Sequence, residues 1–214
     1  LINVLYSCSD NPKGISNSNI SVSILPQKYL IDRLSDSALS TNVIVPPRSS
    51  PEMFEPTPML MKNIANSSLL FVIGPLEFEK VLVNRIRELN PKLKIVNHSD
   101  GLELLEDECG HAHHDHSHAL DPHIWSSPKI FAKMAETVCK ELTNLYPDKA
   151  DLFKRNLELL KLDISKIDSG FVSISQSKRN KKFIVYHPAY GYLSHDYGFM
   201  QLSLEESGKN PSAE

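Results

Sequence analysis

The sequence has little cysteine, no long apolar run and no surplus of positive charge. Its three cysteines form no Cys-x-x-Cys pair, which argues against a thiolate zinc site or a redox motif. No apolar run approaches the roughly 20 residues that a membrane-spanning helix requires. A net charge of −3 with neutral histidines argues against a nucleic-acid partner and against a polybasic membrane patch. The apolar and charged fractions are those of an ordinary globular protein.

Short apolar strands alternate with amphipathic helices along the first half of the chain. We predict strands at 20–25, 41–45, 69–73, 93–96 and 181–186, and helices at 27–34, from 57–58 onwards, at 77–89 and from 127–128 onwards. This alternation predicts crossover units and a parallel sheet, so the fold class is α/β. An apolar stripe at alternating steps of four and three predicts one long helix from about 147 to 175. Its members are Phe153, Leu157, Leu160, Ile164, Ile167, Phe171 and Ile174.

Five histidines and one aspartate are crowded into eight positions between the fourth strand and the next helix. They are His111, His113, His114, Asp115, His116 and His118. No hydrophobic pattern explains them, and a histidine-rich tract is typical of metal binding. Without regular structure they cannot preorganise one geometry, so we predict weak, multiple binding that fails as the imidazoles protonate near pH 6. The alternative is a disordered tract without function.

Three isolated residues are candidates for a fixed metal site. Glu52 follows the second strand, and His187 follows the strand at 181–186. His123 stands in Asp-Pro-His-Ile-Trp, where a proline stiffens the approach to a helix. Ligands of open parallel sheets bind beyond the carboxyl ends of the strands, and one carboxylate with two imidazoles suits zinc. Taken singly, each is equally explained as a structural or solvated residue, as are His98 and His195, which have no spacing argument behind them.

The N-terminal residues have the composition of an export signal's end. Residues 5–8 (LYSC) resemble a bacterial lipobox in which Cys8 would be lipidated, and the polar stretch after them suits a tether. An arbitrary start with an ordinary cysteine is the alternative. We expect residues 1–19 to be this remnant and tether, and 20–146 to be an N-terminal α/β lobe with a histidine-rich loop at 107–120. Residues 147–176 would form a linker helix, and 181–214 the start of a truncated C-terminal α/β lobe.

The chain resembles the metal-binding lipoproteins of bacterial ABC importers for zinc and manganese, the zinc branch in particular. The resembling segments, in family order, are 45–47 (VPP), 55–58 (EPTP), 121–128 (DPHIWSSP), 186–192 (YHPAYGY), 196–198 (DYG) and 205–212 (EESGKNPS). The resemblance implies two lobes with parallel sheets flanked by helices, one long helix joining them, and a metal in the cleft between the lobes.

The resemblance also assigns ligands. It implies that His123 and His187 bind the metal, that Glu52 stands where the family usually has histidine, and that a further acidic ligand lies beyond residue 214. The second lobe would therefore be incomplete in this chain. A carboxylate can replace an imidazole on zinc.

These features predict a protein that is not an enzyme. We expect it to capture Zn²⁺ outside the cytoplasm, in the periplasm or as a membrane-anchored lipoprotein, and to deliver the ion to an ABC-type permease. Mn²⁺ is the less favoured ion, and the protein is expected to be a monomer that contacts the membrane only through a lipid anchor.

Two other functions stay open. One is a zinc-dependent hydrolase with the same three ligands, although no motif places a general base beside them. The other is a histidine-rich metal buffer or adhesin in which the loop is the whole function.

Overall fold

The computed structural model describes residues 20–106, 120–177 and 179–204, with only the backbone at Glu52. The strands are β1 (Ile20–Val22), β2 (Thr41–Val43), β3 (Leu69–Val72), β4 (Lys94–Asn97), β5 (Lys182–Val185) and β6 (Met200–Ser203). The helices are α1 (Leu25–Ser35), α2 (Pro58–Ala65), α3 (Glu77–Leu89), α4 (Pro128–Leu145), α5 (Ala150–Ser177) and α6 (Gly191–Tyr197). None of the helices in these ranges is long and apolar enough to cross a membrane.

The first four strands form one parallel sheet in the order β2-β1-β3-β4. Ser21 pairs with Asn42 of β2 on one side and with Leu70 of β3 on the other. Every residue of β1 and β3 is buried, as expected of central strands in a parallel sheet that helices cover on both faces. The predicted α/β class with parallel strands is confirmed.

Local sequence sets the helix starts around this sheet. Thr57 caps α2, because its hydroxyl accepts the backbone N–H of Leu60 at 3.3 Å, and Pro58 takes the first helical position. The α1 helix begins two residues before its predicted start, because the Gln27 side chain accepts the N–H of Ile24 at 3.1 Å and closes the first turn from inside. The α3 helix has the predicted bounds.

The long helix α5 has 28 residues, which corresponds to about 42 Å at 1.5 Å per residue. Its first half packs against α1 and α4. Phe153, Leu160 and Ile164 are buried there. Farther along the same stripe, Ile167 and Ile174 are 54% and 47% exposed. The predicted helix is confirmed, but the stripe is buried only where α1 and α4 cover it.

The chain after α5 forms a second, smaller parallel unit. Strands β5 and β6 pair in parallel, with Ile184 opposite Leu202, and α6 makes the crossover between them. Gly198 ends α6 with a φ of 66°, a left-handed conformation that favours glycine. The Ser175 hydroxyl of α5 donates to the carbonyl of Tyr197 at 2.6 Å and holds this unit on the end of the long helix.

Candidate metal centre

His123 and His187 meet at the contact between the two units. Their Nε2 atoms lie 3.2 Å apart, and the two rings are inclined by 69° with centroids 5.1 Å apart. His123 is buried and His187 is half-buried. The structure therefore brings together the two histidines that the sequence analysis singled out, one from each side of α5.

The local chain fixes the backbone at both histidines. His123 precedes a short 3-10 turn, Ile124–Ser126, that leads into α4. The buried Ile124 anchors that turn, and its N–H donates to the carbonyl of Pro122 at 2.8 Å. His187 comes two residues after β5, and its carbonyl accepts the N–H of Ala189 at 2.9 Å. Both histidines thus stand on short segments next to regular elements.

Asp121 and Trp125 surround the His123 ring. Oδ1 of Asp121 lies 2.8 Å from the backbone nitrogen of His123 and 2.8 Å from its ring Nδ1. The Trp125 ring packs edge-on at a centroid distance of 5.2 Å. Nδ1 is therefore engaged by the carboxylate, and Nε2 is the nitrogen directed at His187. Asp121 was not predicted to belong to the site, although its position two residues before His123 was a usable signal.

Helix α6 is docked onto the first lobe by three hydrogen bonds. The Tyr192 hydroxyl accepts the N–H of Leu105 at 3.2 Å and donates to the carbonyl of Asp121 at 2.9 Å. Burial raises the pKa of Tyr192 to about 12, so the hydroxyl keeps its proton at neutral pH. The Ser127 hydroxyl donates to the Asp196 carboxylate. These bonds hold the segment that carries His187 against the segment that carries His123.

The residues that flank the histidine-rich loop on both sides lie beside this site. The Asp121 N–H donates to the carbonyl of Leu105 at 2.9 Å, and Glu106 and Leu120 form an antiparallel bridge. We call these two pairs the loop neck. A cavity of about 510 Å³ lies next to it, lined among others by Glu106, Asp121, His195 and Gln201. The predicted loop ligands His111, His113, His114, Asp115, His116 and His118, and the predicted lipidation site Cys8, lie outside the described residues.

Glu52 lies on a short 3-10 turn, Pro51–Met53, in the connection from β2 to α2. An edge contact between Phe54 and Phe78, with centroids 5.4 Å apart, holds the end of this turn on α3. The Glu52 side chain lies outside the description, so its role as a ligand stays a prediction. Among the side chains that are described, no group of three His, Cys, Asp or Glu residues is placed to hold an ion.

The two histidines without a spacing argument differ in environment. His98 is buried, stacks on Phe71 at a centroid distance of 5.3 Å, and has no hydrogen-bond partner for its ring nitrogens among the described residues. Burial lowers the pKa of His98 to about 4. The His195 side chain is 69% exposed. One is therefore a core residue and the other a surface residue, as expected.

Comparison with known proteins gives one family for nearly the whole chain. Residues 20–214 match the family described as "Zinc-uptake complex component A periplasmic", ZnuA. The zinc-binding lipoprotein AdcA of Streptococcus pneumoniae is 25% identical over 217 residues, in an alignment that covers 98% of this chain and 43% of AdcA. This chain thus spans less than half the length of that relative.

Solved structures agree with the family assignment. A crystal structure of ZnuA superposes with a TM-score of 0.77 and 30% identity, covering 91% of this chain and 74% of the other. A ZnuA deletion mutant with zinc bound superposes with a TM-score of 0.76 and 30% identity, covering 91% and 72%. The predicted resemblance is confirmed, and zinc and an extracytoplasmic location agree with the family's description. The chain belongs to the ZnuA family of periplasmic zinc-uptake components.

Proposed function

We propose that this protein captures Zn²⁺ outside the cytoplasm and hands it to an ABC-type permease, with His123 and His187 as ligands. The distance between their Nε2 atoms, 3.2 Å, carries the proposal. Two nitrogens bound tetrahedrally at about 2.0–2.1 Å from zinc stand about 3.3–3.4 Å apart. The two imidazoles therefore need to separate by only a fraction of an ångström to share one ion.

The choice of zinc rests on ligand chemistry and on the relatives. Imidazole nitrogens suit borderline cations such as zinc better than they suit manganese. Among the relatives, AdcA is named as a zinc-binding lipoprotein, and a ZnuA deletion mutant was solved with zinc bound. Manganese is the less favoured ion, and its affinity relative to zinc would rise if a carboxylate completed the site.

Glu52 is proposed as that carboxylate. Its turn follows β2 at the carboxyl end of the parallel sheet, the edge where open α/β sheets bind ligands. A Glu oxygen binds zinc at about 2.0–2.2 Å, so it can serve in place of an imidazole.

The histidine-rich loop at 107–120 is proposed as a separate, weaker collector of metal. Its neck is formed by Leu105 with Asp121 and Glu106 with Leu120, so the loop ends only three residues before His123. Ions held loosely on the loop would be released near the fixed site.

The remaining assignments follow the division of the chain. Residues 1–19 would tether the protein through a lipidated Cys8, 20–146 and 181–214 would contribute the two sides of the cleft, and 147–176 would join them. We propose a monomer that contacts the membrane only through its anchor. We also propose that the bound ion is cargo and performs no hydrolysis.

A competition titration against a chromogenic zinc chelator tests the ligand pair. His123→Ala and His187→Ala should each lose the tight site, because the remaining imidazole and the proposed Glu52 carboxylate are too few ligands to hold zinc against the chelator. His195→Ala, which removes an exposed histidine, is the matched control and should bind like the wild type. Wild-type affinity in both ligand variants would overturn the proposal, and turnover of chromogenic esters or phosphoesters by the zinc-loaded protein would favour the hydrolase.

A further inference from the structure

Asp121 contacts His123 twice through a single carboxylate oxygen. Its Oδ1 accepts the backbone N–H of His123 at 2.8 Å and lies 2.8 Å from the ring Nδ1. An ionised carboxylate only accepts hydrogen bonds, so the ring contact requires a hydrogen on Nδ1. A neutral ring in that tautomer keeps its lone pair on Nε2, the atom that faces Nε2 of His187 at 3.2 Å.

Asp121 is held in place through its backbone, and its side chain is buried. The backbone N–H donates to the carbonyl of Leu105 at 2.9 Å, the backbone carbonyl accepts the Tyr192 hydroxyl at 2.9 Å, and the side chain is only 7% exposed. The position of the carboxylate therefore depends on contacts from both lobes. A rigid acceptor of this kind can fix the tautomer and the rotation of the ring that it bonds.

Gly191 leaves the space that the other carboxylate oxygen fills. A Cβ at position 191 would lie 2.4 Å from Oδ2 and 3.6 Å from Cγ of Asp121. Gly191 is not among the residues with positive φ, so the requirement here is for space and not for an unusual backbone conformation. Any side chain at this position would push the carboxylate away from His123 or push α6 away from the first lobe.

We propose that Asp121 is a positioning residue of the metal centre and that Gly191 makes its position possible. Asp121 holds His123 as the Nδ1–H tautomer and directs the Nε2 lone pair at the ion. Carboxylates that orient a ligating histidine typically contribute about 10–100-fold to metal affinity. The inference deepens the proposed function and rests on it for the effect on affinity, whereas the effect on the tautomer can be measured without metal.

A simpler role for Asp121 is that of a turn residue. Aspartate side chains commonly accept the N–H two residues further along the chain, and the backbone bond to His123 fits that pattern. A turn, however, needs neither the contact to Nδ1 nor the space that Gly191 leaves for Oδ2 of Asp121. The experiment therefore measures the tautomer of the His123 ring and not only the stability of the protein.

The first arm uses the metal-free, ¹⁵N-labelled full chain at a pH where the imidazoles are neutral. Long-range ¹H–¹⁵N correlation spectra distinguish the two tautomers, and comparison with His123→Gln assigns the His123 signals. The wild type should show Nδ1–H at His123. Asp121→Asn keeps an oxygen acceptor and should retain this tautomer, whereas Asp121→Ala should shift it towards the Nε2–H form that free histidine prefers.

The second arm measures zinc affinity by competition in the same variants. Asp121→Ala should weaken the tight site by about 10–100-fold, and Asp100→Ala, which removes an exposed carboxylate, should leave it unchanged. Gly191→Ala should weaken binding in the wild type. In the Asp121→Ala background it should add less than about twofold, because the clash with Oδ2 has gone and the two changes are coupled.

The outcomes separate the two levels of the hypothesis. A tautomer that is unchanged in Asp121→Ala overturns the positioning role. So does a normal zinc affinity in that variant when His123→Ala loses the tight site. If His123→Ala itself binds normally, the proposed function fails instead, whatever the tautomer is. A Gly191→Ala effect that persists in full without the Asp121 carboxylate overturns the role assigned to Gly191.

Discussion

Ser127 and Asp196 join the first turn of α4 to α6 through one hydroxyl group. The Ser127 Oγ donates to the Asp196 carboxylate and also accepts the N–H of Ile130 at 3.2 Å as the cap of α4. A residue that begins a helix in the first lobe thus also binds the second lobe. The bond lies only four residues after His123, so it contributes to the same contact that brings the two histidines together.

We predict that Ser127→Ala destabilises the protein more than the loss of a helix cap alone. Losing a capping hydroxyl typically costs about 1 kcal/mol, and a hydrogen bond to a charged group is worth about 1.5–3 kcal/mol. The control is Thr57→Ala, which removes the capping hydroxyl of α2. Urea unfolding of both variants checks the prediction, and equal losses would mean that the bond to Asp196 contributes nothing.

Stability should fall at mildly acidic pH because of His98. Burial holds its pKa at about 4 in the folded protein, against about 6.5 in an unfolded chain. The unfolded state therefore binds the proton first, and the free energy of unfolding decreases as the pH falls below about 6.5 and levels off below about 4. The difference between the two pKa values corresponds to a loss of about 3 kcal/mol in the free energy of unfolding, at about 1.4 kcal/mol per pKa unit.

The His98→Leu variant isolates this contribution from the other histidines. Leucine has a similar volume and no ring nitrogens to protonate. Between pH 7 and 4.5 the free energy of unfolding of the variant should therefore lack most of the roughly 3 kcal/mol decrease expected from His98 in the wild type. Urea unfolding at several pH values in wild type and variant gives the difference directly. Parallel pH profiles for the two proteins would show that His98 is not the group responsible.

Deleting Gly110–His118 should remove the weak metal sites and leave the tight one. The loop neck is closed by residues outside the deletion, since Leu105 pairs with Asp121 and Glu106 with Leu120. Titration calorimetry with zinc should show one tight event in the deletion and additional weak events in the wild type. A second variant that replaces the five loop histidines by glutamine controls for loop length, and loss of the tight site in both variants would contradict the two-tier arrangement.

Glu52→Ala should weaken tight zinc binding, and Glu52→His should restore it and raise the preference for zinc over manganese. The reason is that an imidazole is a softer ligand than a carboxylate, and soft ligands disfavour manganese. The alternative is that Glu52 points to solvent and that water or Glu55, three residues away in the same connection, completes the site, and Glu55→Ala tests that alternative. Competition titrations with both ions check this, and a change of less than about twofold in Glu52→Ala, under about 0.5 kcal/mol, would show that Glu52 is not a ligand.

Local signals were sufficient to predict much of the fold. The α3 helix was predicted from 77 to 89 because its apolar period is regular and Asn90-Pro91 stops it, and these are its bounds. Strand β6 was not predicted, and a helix after the strand at 181–186 was expected only as part of an α/β lobe, without bounds. The seven residues of α6 are too few to show a helical period. The alternation of apolar and polar residues at 200–204 (MQLSL) was a usable signal for β6, although that strand lies largely exposed.

Some contacts of the candidate site could likewise be predicted from local sequence, and others could not. His123 and His187 were predicted from their positions beside regular elements and from segments that resemble a family, and the structure brings them together. The contact between Asp121 and the His123 ring spans two residues, so the Asp-Pro-His spacing already contained it. The bonds from Tyr192 to Asp121 and from Ser127 to Asp196 join residues about 70 positions apart. Only the packing of α6 against the first lobe creates those contacts, and no local pattern in the sequence reports them.

The loop neck has a consequence for how such a protein can diverge. The loop neck pairs the two ends of the loop, Leu105 with Asp121 and Glu106 with Leu120. The loop can therefore lengthen, shorten or change composition without moving His123. Doubling the length of a flexible loop costs only about 0.6 kcal/mol of closure entropy. Under the proposed function, selection for local zinc supply can therefore change the number of loop histidines without altering the proposed ligand pair His123 and His187.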